Sequence, residues 1–359
     1  MPLRVSFEEL VERMRGARKL FVVVAASTRT STIPGISIAG PSPEATLYTP
    51  TLDVEYLLAG KPLTLDVIPV TPEGIPTPAL VTRAALSLAR GTGVLVVDAG
   101  CAHEPRVAHA VLPSRTVGGR IDVEDALPRG TSRRLFEEAR LLGRWLARGV
   151  DAVVIGETMP GGTTTAAAIL EALGYPGVDY VSSASPRNPR ELKKRVVSEA
   201  LRRLGGRARD VFEAVDVVGD PLHVSVAGLA AGAAEHARLV VLAGGTQMAS
   251  VAAILAKLGL LDPERYAIAT TRWLLEDSSS SLDAIIDAVE PRLPVAGAPL
   301  DFSSAPYPGL RAYEEGYVKE GVGMGGAVLV ALAEGASVER VVEAVIAEYE
   351  RVARPAPRG

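Results

Sequence analysis

Residues 19–306 predict a doubly wound parallel α/β sheet, joined by a smaller helical unit drawn from residues 1–18 and 307–359. Three observations lead there. Short apolar runs rich in β-branched residues, such as Leu20-Phe-Val-Val-Val-Ala-Ala and Val94-Leu-Val-Val, read as strands covered on both faces. Amphipathic segments alternate with these runs, as parallel crossovers require. The unit of strand, glycine turn and helix occurs twice, at 152–170 and again at 239–255. Ligands in open sheets of this class bind at the carboxyl ends of the strands, so both glycine turns should face one edge.

In chain order, Ser6-Phe-Glu-Glu9 is a capping box opening an amphipathic helix over 6–15. The first strand follows Lys19. Residues 27–63 are rich in Ser, Thr, Pro and Gly and carry Ile, Leu and Tyr, which suggests a loop covering a substrate. Residues 63–70 read as a strand, and 78–90 as a helix ended by Gly91 and Gly93. A second strand runs to Asp98 and Gly100, and a strongly periodic helix covers 132–148. After the strand and turn at 152–165, a helix over 189–204 has Pro189 at its first position and Gly205-Gly206 at its end. Residues 211–218 and 239–242 are strand candidates separated by an Ala-rich helix. Tyr266-Ala-Ile-Ala, a capping loop at Ser278 to Ser281 and a helix to Val289 continue the alternation. The end holds a third glycine cluster, Gly321-Val-Gly-Met-Gly-Gly326, and two helices.

Composition narrows the function. A chain of 359 residues, 48% hydrophobic and 22% charged, is globular and long enough for a large core. Its net charge of −4, with only 5 Phe and 2 Trp, gives neither the field nor the stacking surface that nucleic-acid binding needs. The amino-terminal residues lack a basic-then-apolar signal pattern and no apolar run approaches a membrane span, so a cytoplasmic protein with no membrane partner is expected. The single cysteine, Cys101, fits a reducing compartment and reads as a small buried hydrophobe. One Asn and one Gln in the whole chain point to a thermophile or to a GC-rich genome.

The chemistry concentrates at Gly156-Glu157-Thr158-Met159-Pro160-Gly161-Gly162-Thr163-Thr164. A glycine turn feeding a helix presents free N–H groups and the positive end of the helix dipole, a site for phosphate or carboxylate. The Gly156 to Gly161 spacing matches a P-loop, but Gly162 stands where that motif needs lysine, so a monophosphate site is read in place of an NTPase. Metal-ligand spacing is absent: Cys101 and His103 form one isolated pair, and His109, His223 and His236 have no His or Cys at i+3 or i+4.

From about residue 80 to 335 the chain resembles, in order and spacing, the nicotinate-nucleotide-dimethylbenzimidazole phosphoribosyltransferase family, and more closely its divergent archaeal branch. The matching pieces are Val97-Asp98-Ala-Gly100, Gly130-Thr131, Gly156-Glu157-x4-Gly162-Thr-Thr, the basic helix around Lys193-Lys194, Gly244-Gly245, and Glu320-Gly321-x-Gly323. Met159-Pro160-Gly161-Gly162 replaces the family's Gly-x-Gly-Asn, and Gly244-Gly245-Thr246 its Asp-Gly-Phe. The resemblance implies a Rossmann-like sheet with a small helical domain from both chain ends, and a homodimer. It implies transfer of phosphoribose from nicotinate mononucleotide to the nitrogen of a benzimidazole-like or purine-like base, in cobamide (vitamin B12) lower-ligand assembly.

That donor's pyridinium leaves as a neutral ring, so neither a metal nor another cofactor is called for. A carboxylate must take the azole proton, and Glu320 is the candidate base, followed by Gly321 and Gly323 that would let substrate approach. Its alternative is a surface glutamate in a charged run. Glu157 would hold ribose hydroxyls or assist the base, or else it is a first-turn acid facing a helix dipole. Gly156, Gly161, Gly162, Thr163 and Thr164 would cradle the phosphate, or form an ordinary capping turn. Lys194, or its neighbour Lys193, would reach that phosphate as a point charge, or sit on a solvated face. Gly244 and Gly245 serve ligand approach or close packing, and Asp98 ranks below the others as a site residue or a loop-ordering one. A non-catalytic nucleotide-binding protein of the same fold is the alternative function.

Overall fold

The structure, a computed structural model, describes residues 5–67, 70–71, 73–206 and 208–353. Among the described residues seven strands form one sheet: β1 (Lys19–Ala26), β2 (Gly93–Gly100), β3 (Ala110–Val111), β4 (Ala152–Thr158), β5 (Leu239–Ala243), β6 (Tyr266–Thr271) and β7 (Val295–Ala298). All pairings are parallel and the order is β3-β2-β1-β4-β5-β6-β7. The chain builds outward from β1 in one direction, then returns to its other side with β4. The β1/β4 junction is therefore the topological switch point, where ligand crevices open in sheets of this class.

Alternation along β1 sends Val22, Val24 and Ala26 into one core and Phe21, Val23 and Ala25 into the other. Helices Thr131–Leu146, Gly162–Ala172, Arg190–Leu204, Val211–Val218, Pro221–Ala233, Thr246–Lys257 and Leu282–Val289 cover the first face. The second face is covered by Phe7–Met14, Thr49–Ala59, Pro78–Ser87, Met324–Ala333 and Val338–Ala353. The end segments thus share one apolar cluster with the sheet: Phe7, Leu10 and Met14 pack in the same core as Val154 and Val241. Ser6 accepts from Glu9 N and Glu9 accepts from Ser6 N, closing the capping box read from sequence.

Several local readings change. Val211–Val218 is a helix: Asp210 accepts from Phe212 N (2.8 Å) and Glu213 N (2.9 Å), and this N-cap with apolar packing overrides the β-propensity of valine. Asp216 on that helix then accepts from Gly130 N (2.5 Å) and Ser132 N (2.9 Å) at the start of Thr131–Leu146. Residues 63–65 form bends and 66–67 are irregular, because Leu63 N and Thr64 N donate to the buried Glu55 carboxylate; Val70 makes an isolated bridge to Pro76, and residues 68 and 69 of the expected strand lie outside the described residues. The 27–63 segment includes the Thr49–Ala59 helix, whose Val54 and Tyr56 are fully buried, so part of the expected covering loop belongs to the core. Pro189 is the N-cap of Arg190–Leu204 and not its first residue, and the helix at 78 stops at Ser87.

Candidate active site at the carboxyl edge

β4 continues past the apolar run at 152–155, so Gly156 and Glu157 lie on the strand, paired to Val23 and Val24 of β1. Glu157 is 2% exposed at the end of the central strand. Gly156 is there for close approach: a Cβ would stand 2.9 Å from the Gly323 Cα. That contact lets the segment 320–323 cross the end of β4, where Val322 N donates to the Glu157 carbonyl (2.9 Å). Two acids that are far apart in sequence, Glu157 and Glu320, are thereby brought to the same edge.

Gly244 and Gly245 line the space between them. A Cβ on Gly244 would stand 3.8 Å from Glu157 Cγ, and one on Gly245 would stand 3.7 Å from Glu320 Cβ. Glu320 as a residue is half-buried, with its carboxylate turned in among backbone donors. Gly321 N (3.1 Å) and Gly325 N (3.2 Å to Oε2) donate to it, and Thr270 Oγ1 lies 3.5 Å away. Its loop is strained, with Val318, Lys319 and Val322 at φ of 64°, 42° and 54°, a region that side chains rarely occupy. The strain is held by Val318 N donating to the Ala184 carbonyl (2.8 Å), by Thr271 Oγ1 donating to the Lys319 carbonyl, and by Lys319 Nζ donating to Ser185 O (3.1 Å).

Both acids titrate far from the ordinary carboxylate range. Burial pushes Glu157 up to about 8; the His223 charge pulls it down, while Glu320, Asp220 and Asp53 add to the rise. Burial likewise pushes Glu320 up to about 8, against the backbone donors of Gly321, Gly325 and Met324. Asp53, held by Thr77 (2.6 Å) and Thr158 (2.7 Å), is raised to about 6 by burial. An acidic floor held partly protonated at neutral pH is suited to proton transfer.

Gly161 caps the Gly162–Ala172 helix in the left-handed region, φ 78°, and a Cβ there would press on the Ser31 backbone at 2.9 Å. Thr163 is partly exposed beside it, and Thr164 Oγ1 is buried without a partner. On the Arg190–Leu204 helix the expected residue and its neighbour lie in opposite environments. Lys194 Nζ points to the surface and pairs with Asp179 (2.9 Å) and Glu191 (3.6 Å). Lys193 is fully buried, and its ammonium donates to the Ser182 carbonyl (2.5 Å). Burial first, and then the Lys319 charge, lower it to about 7 against the pull of Asp277. Ser182 N in turn donates to Thr246 Oγ1 (3.0 Å), tying this lysine to the second glycine turn.

Asp98 does not join the site. Its Oδ1 accepts from Gly100 N (2.8 Å) and Cys101 N (2.7 Å), and its Oδ2 pairs with Arg115, so it orders the turn after β2. Three site residues escaped the sequence reading: Asp220, His223 and Gln247. Gln247 Nε2 donates to Glu157 Oε1 (2.9 Å), and its Oε1 lies 3.1 Å from His223 Nε2. Their signal was faint. Gln247 is the one glutamine of the chain, and Asp220 sits three residues before His223.

A family model described as Phosphoribosyltransferase matches residues 81–273, which span β2 through β6 and both glycine turns. The chain belongs to this family. Among relatives, a UPF0284 protein of Aeropyrum pernix is 59% identical over 348 residues, 97% of this chain and 96% of its own length. One from Pyrococcus furiosus is 49% identical over 340 residues, 93% of this chain and 99% of its own. The phosphoribosyltransferase fold is also seen in CobT from Thermus thermophilus, with a TM-score of 0.64 at 19% identity over 94% of this chain and 90% of that one. A second structure, nicotinate-nucleotide-dimethylbenzimidazole phosphoribosyltransferase from the same organism, has a TM-score of 0.63 at 19% identity, covering 97% and 92%.

Proposed function

We propose that the protein transfers the phosphoribosyl group of nicotinate mononucleotide to a nitrogen of a benzimidazole-like or purine-like base, forming an α-ribazole phosphate in cobamide lower-ligand assembly. The observation that carries this reading is the convergence of Glu157 and Glu320 at the carboxyl edge of the sheet beside two glycine turns, the second of which is tied through Ser182 to the buried Lys193. The family supports a phosphoribosyl donor. The second Thermus structure shares the fold, and its name supplies the donor and acceptor proposed here.

The donor phosphate sits at the N-terminus of the Gly162–Ala172 helix, on Gly161, Gly162, Thr163 and Thr164, with Lys193 as its counter-charge. Glu157 lies under the ribose, where a carboxylate stabilises positive charge developing at the anomeric carbon. The bond from that carbon to the pyridinium nitrogen breaks, and its electron pair stays on the ring as nicotinate leaves. An azole nitrogen donates its lone pair to the same carbon. The proton on the acceptor's other nitrogen passes to Glu320, so charge and atoms balance. The backbone donors around Glu320 keep a fraction of it ionised despite burial. The protein acts as a homodimer in the cytoplasm, and its partners are small molecules.

Crystals soaked with nicotinate mononucleotide test the placement. Phosphate density should lie at the first turn of Gly162–Ala172 with the ribose toward Glu157. Density away from both that turn and Lys193 would remove the donor site from this edge.

A further inference from the structure

Beneath Glu157 runs a buried polar chain that the transfer step leaves without a role. Asp220 Oδ1 accepts from His223 N (2.8 Å) and caps Pro221–Ala233, while its Oδ2 lies 2.5 Å from His223 Nδ1. Both side chains are fully buried. His223 Nε2 meets Gln247 Oε1 at 3.1 Å, and Gln247 Nε2 donates to Glu157 Oε1 at 2.9 Å. The direction of this chain follows from its ends. A glutamine that gives its NH2 to a carboxylate turns its carbonyl to the histidine, so Nε2 must carry a proton. Glu157 Oε2, at the other end, is buried with no partner.

We propose that Asp220, His223 and Gln247 are positioning residues that orient the Glu157 carboxyl group and favour its ionised form, with Oε1 engaged and Oε2 left free for the donor's ribose. The inference rests on the transfer reading above. A second observation supports it independently: a Cβ at Gly162 would occupy the place of Gln247 Oε1. Gly162 has no left-handed φ that would require glycine, so the missing side chain serves to seat the amide. The position where a phosphate loop would carry lysine is, by this geometry, the room in which the relay turns.

Electrostatics agree with the direction. Burial pulls His223 down, but the Asp220 carboxylate overrides it and raises the imidazole above its ordinary value. Asp220 is held low by the same pairing against its own burial. The charged groups that face Glu157 are Glu320 from the loop before Met324–Ala333, Asp53 from Thr49–Ala59, and Asp220 and His223 from Pro221–Ala233. The acids oppose its ionisation. The relay pulls against them and offsets part of the rise.

The test uses the full chain without substrate. Difference infrared spectra against Glu157→Gln follow the Glu157 carboxylate through pH, and 15N-histidine NMR reads the four histidines of the chain. In Gln247→Met the Glu157 midpoint should rise by about one pH unit or more, roughly tenfold in its ionisation constant, because a donor to the charged form is lost. Gly162→Ala, which removes no polar group, should move it the same way. His223 should read protonated on Nε2 at pH 7. An unmoved midpoint in folded Gln247→Met, or a neutral His223 protonated only on Nδ1, would overturn the relay. These readouts need no turnover: absent transfer with the midpoint shift intact would sink the transfer reading alone, and transfer with no shift would sink the relay alone.

Discussion

Glu320→Gln is expected to lose ~10²- to 10⁴-fold in turnover of nicotinate mononucleotide with an aromatic base, the range for removing a general base. The amide keeps the shape of the side chain and still accepts from Gly321 N and Gly325 N, so the loop and the donor affinity should persist. Two further consequences distinguish a base from a structural acid. In the wild type, kcat/KM should fall as pH drops below about 8, because Glu320 must be ionised to take the azole proton. Stability should run the other way. The folded value of about 8 lies above the ordinary 4.5, so the folded state holds a proton that the unfolded chain releases, and stability is lost as pH rises through that window. Thermal melts should therefore show Glu320→Gln gaining on the wild type as pH rises from the ordinary value of 4.5 through about 8. Equal turnover in the two proteins would take the base role away from Glu320.

Lys193→Met should raise KM for nicotinate mononucleotide by ~10- to 100-fold with a smaller change in kcat, the size expected for losing one charge-assisted bond to a phosphate held in both ground and transition states. Lys194→Met serves as the contrast. Its ammonium is already paired at the surface with Asp179, so KM should stay near the wild-type value. The free protein carries an opposite signature. Burial lowers Lys193 to about 7, below its ordinary 10.5, so charging it destabilises the fold as pH falls from 10.5 through about 7. Lys193→Met should then melt higher than the wild type below about pH 7. A KM that responds to Lys194 and not to Lys193 would reverse the assignment.

The choice between these lysines shows where sequence legibility ended. Residues 193, 196, 197 and 200 share one helical face, and Val196, Val197 and Ala200 are buried, so the periodicity of the helix already marked Lys193 as the inward one. The strand-turn-helix units at 152–170 and 239–255 were legible because apolar runs, glycines and N-termini lie next to each other in sequence. Glu320 was singled out by the family resemblance together with its glycine neighbours, since the charged run around it reads by itself as a surface segment. What a local pattern cannot show is a contact between distant segments: Glu157 and Gln247 are 90 residues apart, and Gly156 meets Gly323 only because both lack side chains. Metal spacing asks whether His223 has a His or Cys nearby, whereas its partner is a carboxylate three residues before it. Val211–Val218 misled because valine favours strands, while a capping aspartate and packing decided the outcome.

Nicotinate release is the measurement closest to the proposed chemistry. Incubated with nicotinate mononucleotide and a panel of benzimidazole-like and purine-like bases, the protein should liberate nicotinate only when an accepting base is present, in equal amount to a ribosylated base 5′-phosphate identified by mass. Tight binding of nicotinate mononucleotide with no nicotinate released across the whole panel would contradict transfer, and would leave the edge between β1 and β4 a nucleotide-binding site without acceptor chemistry.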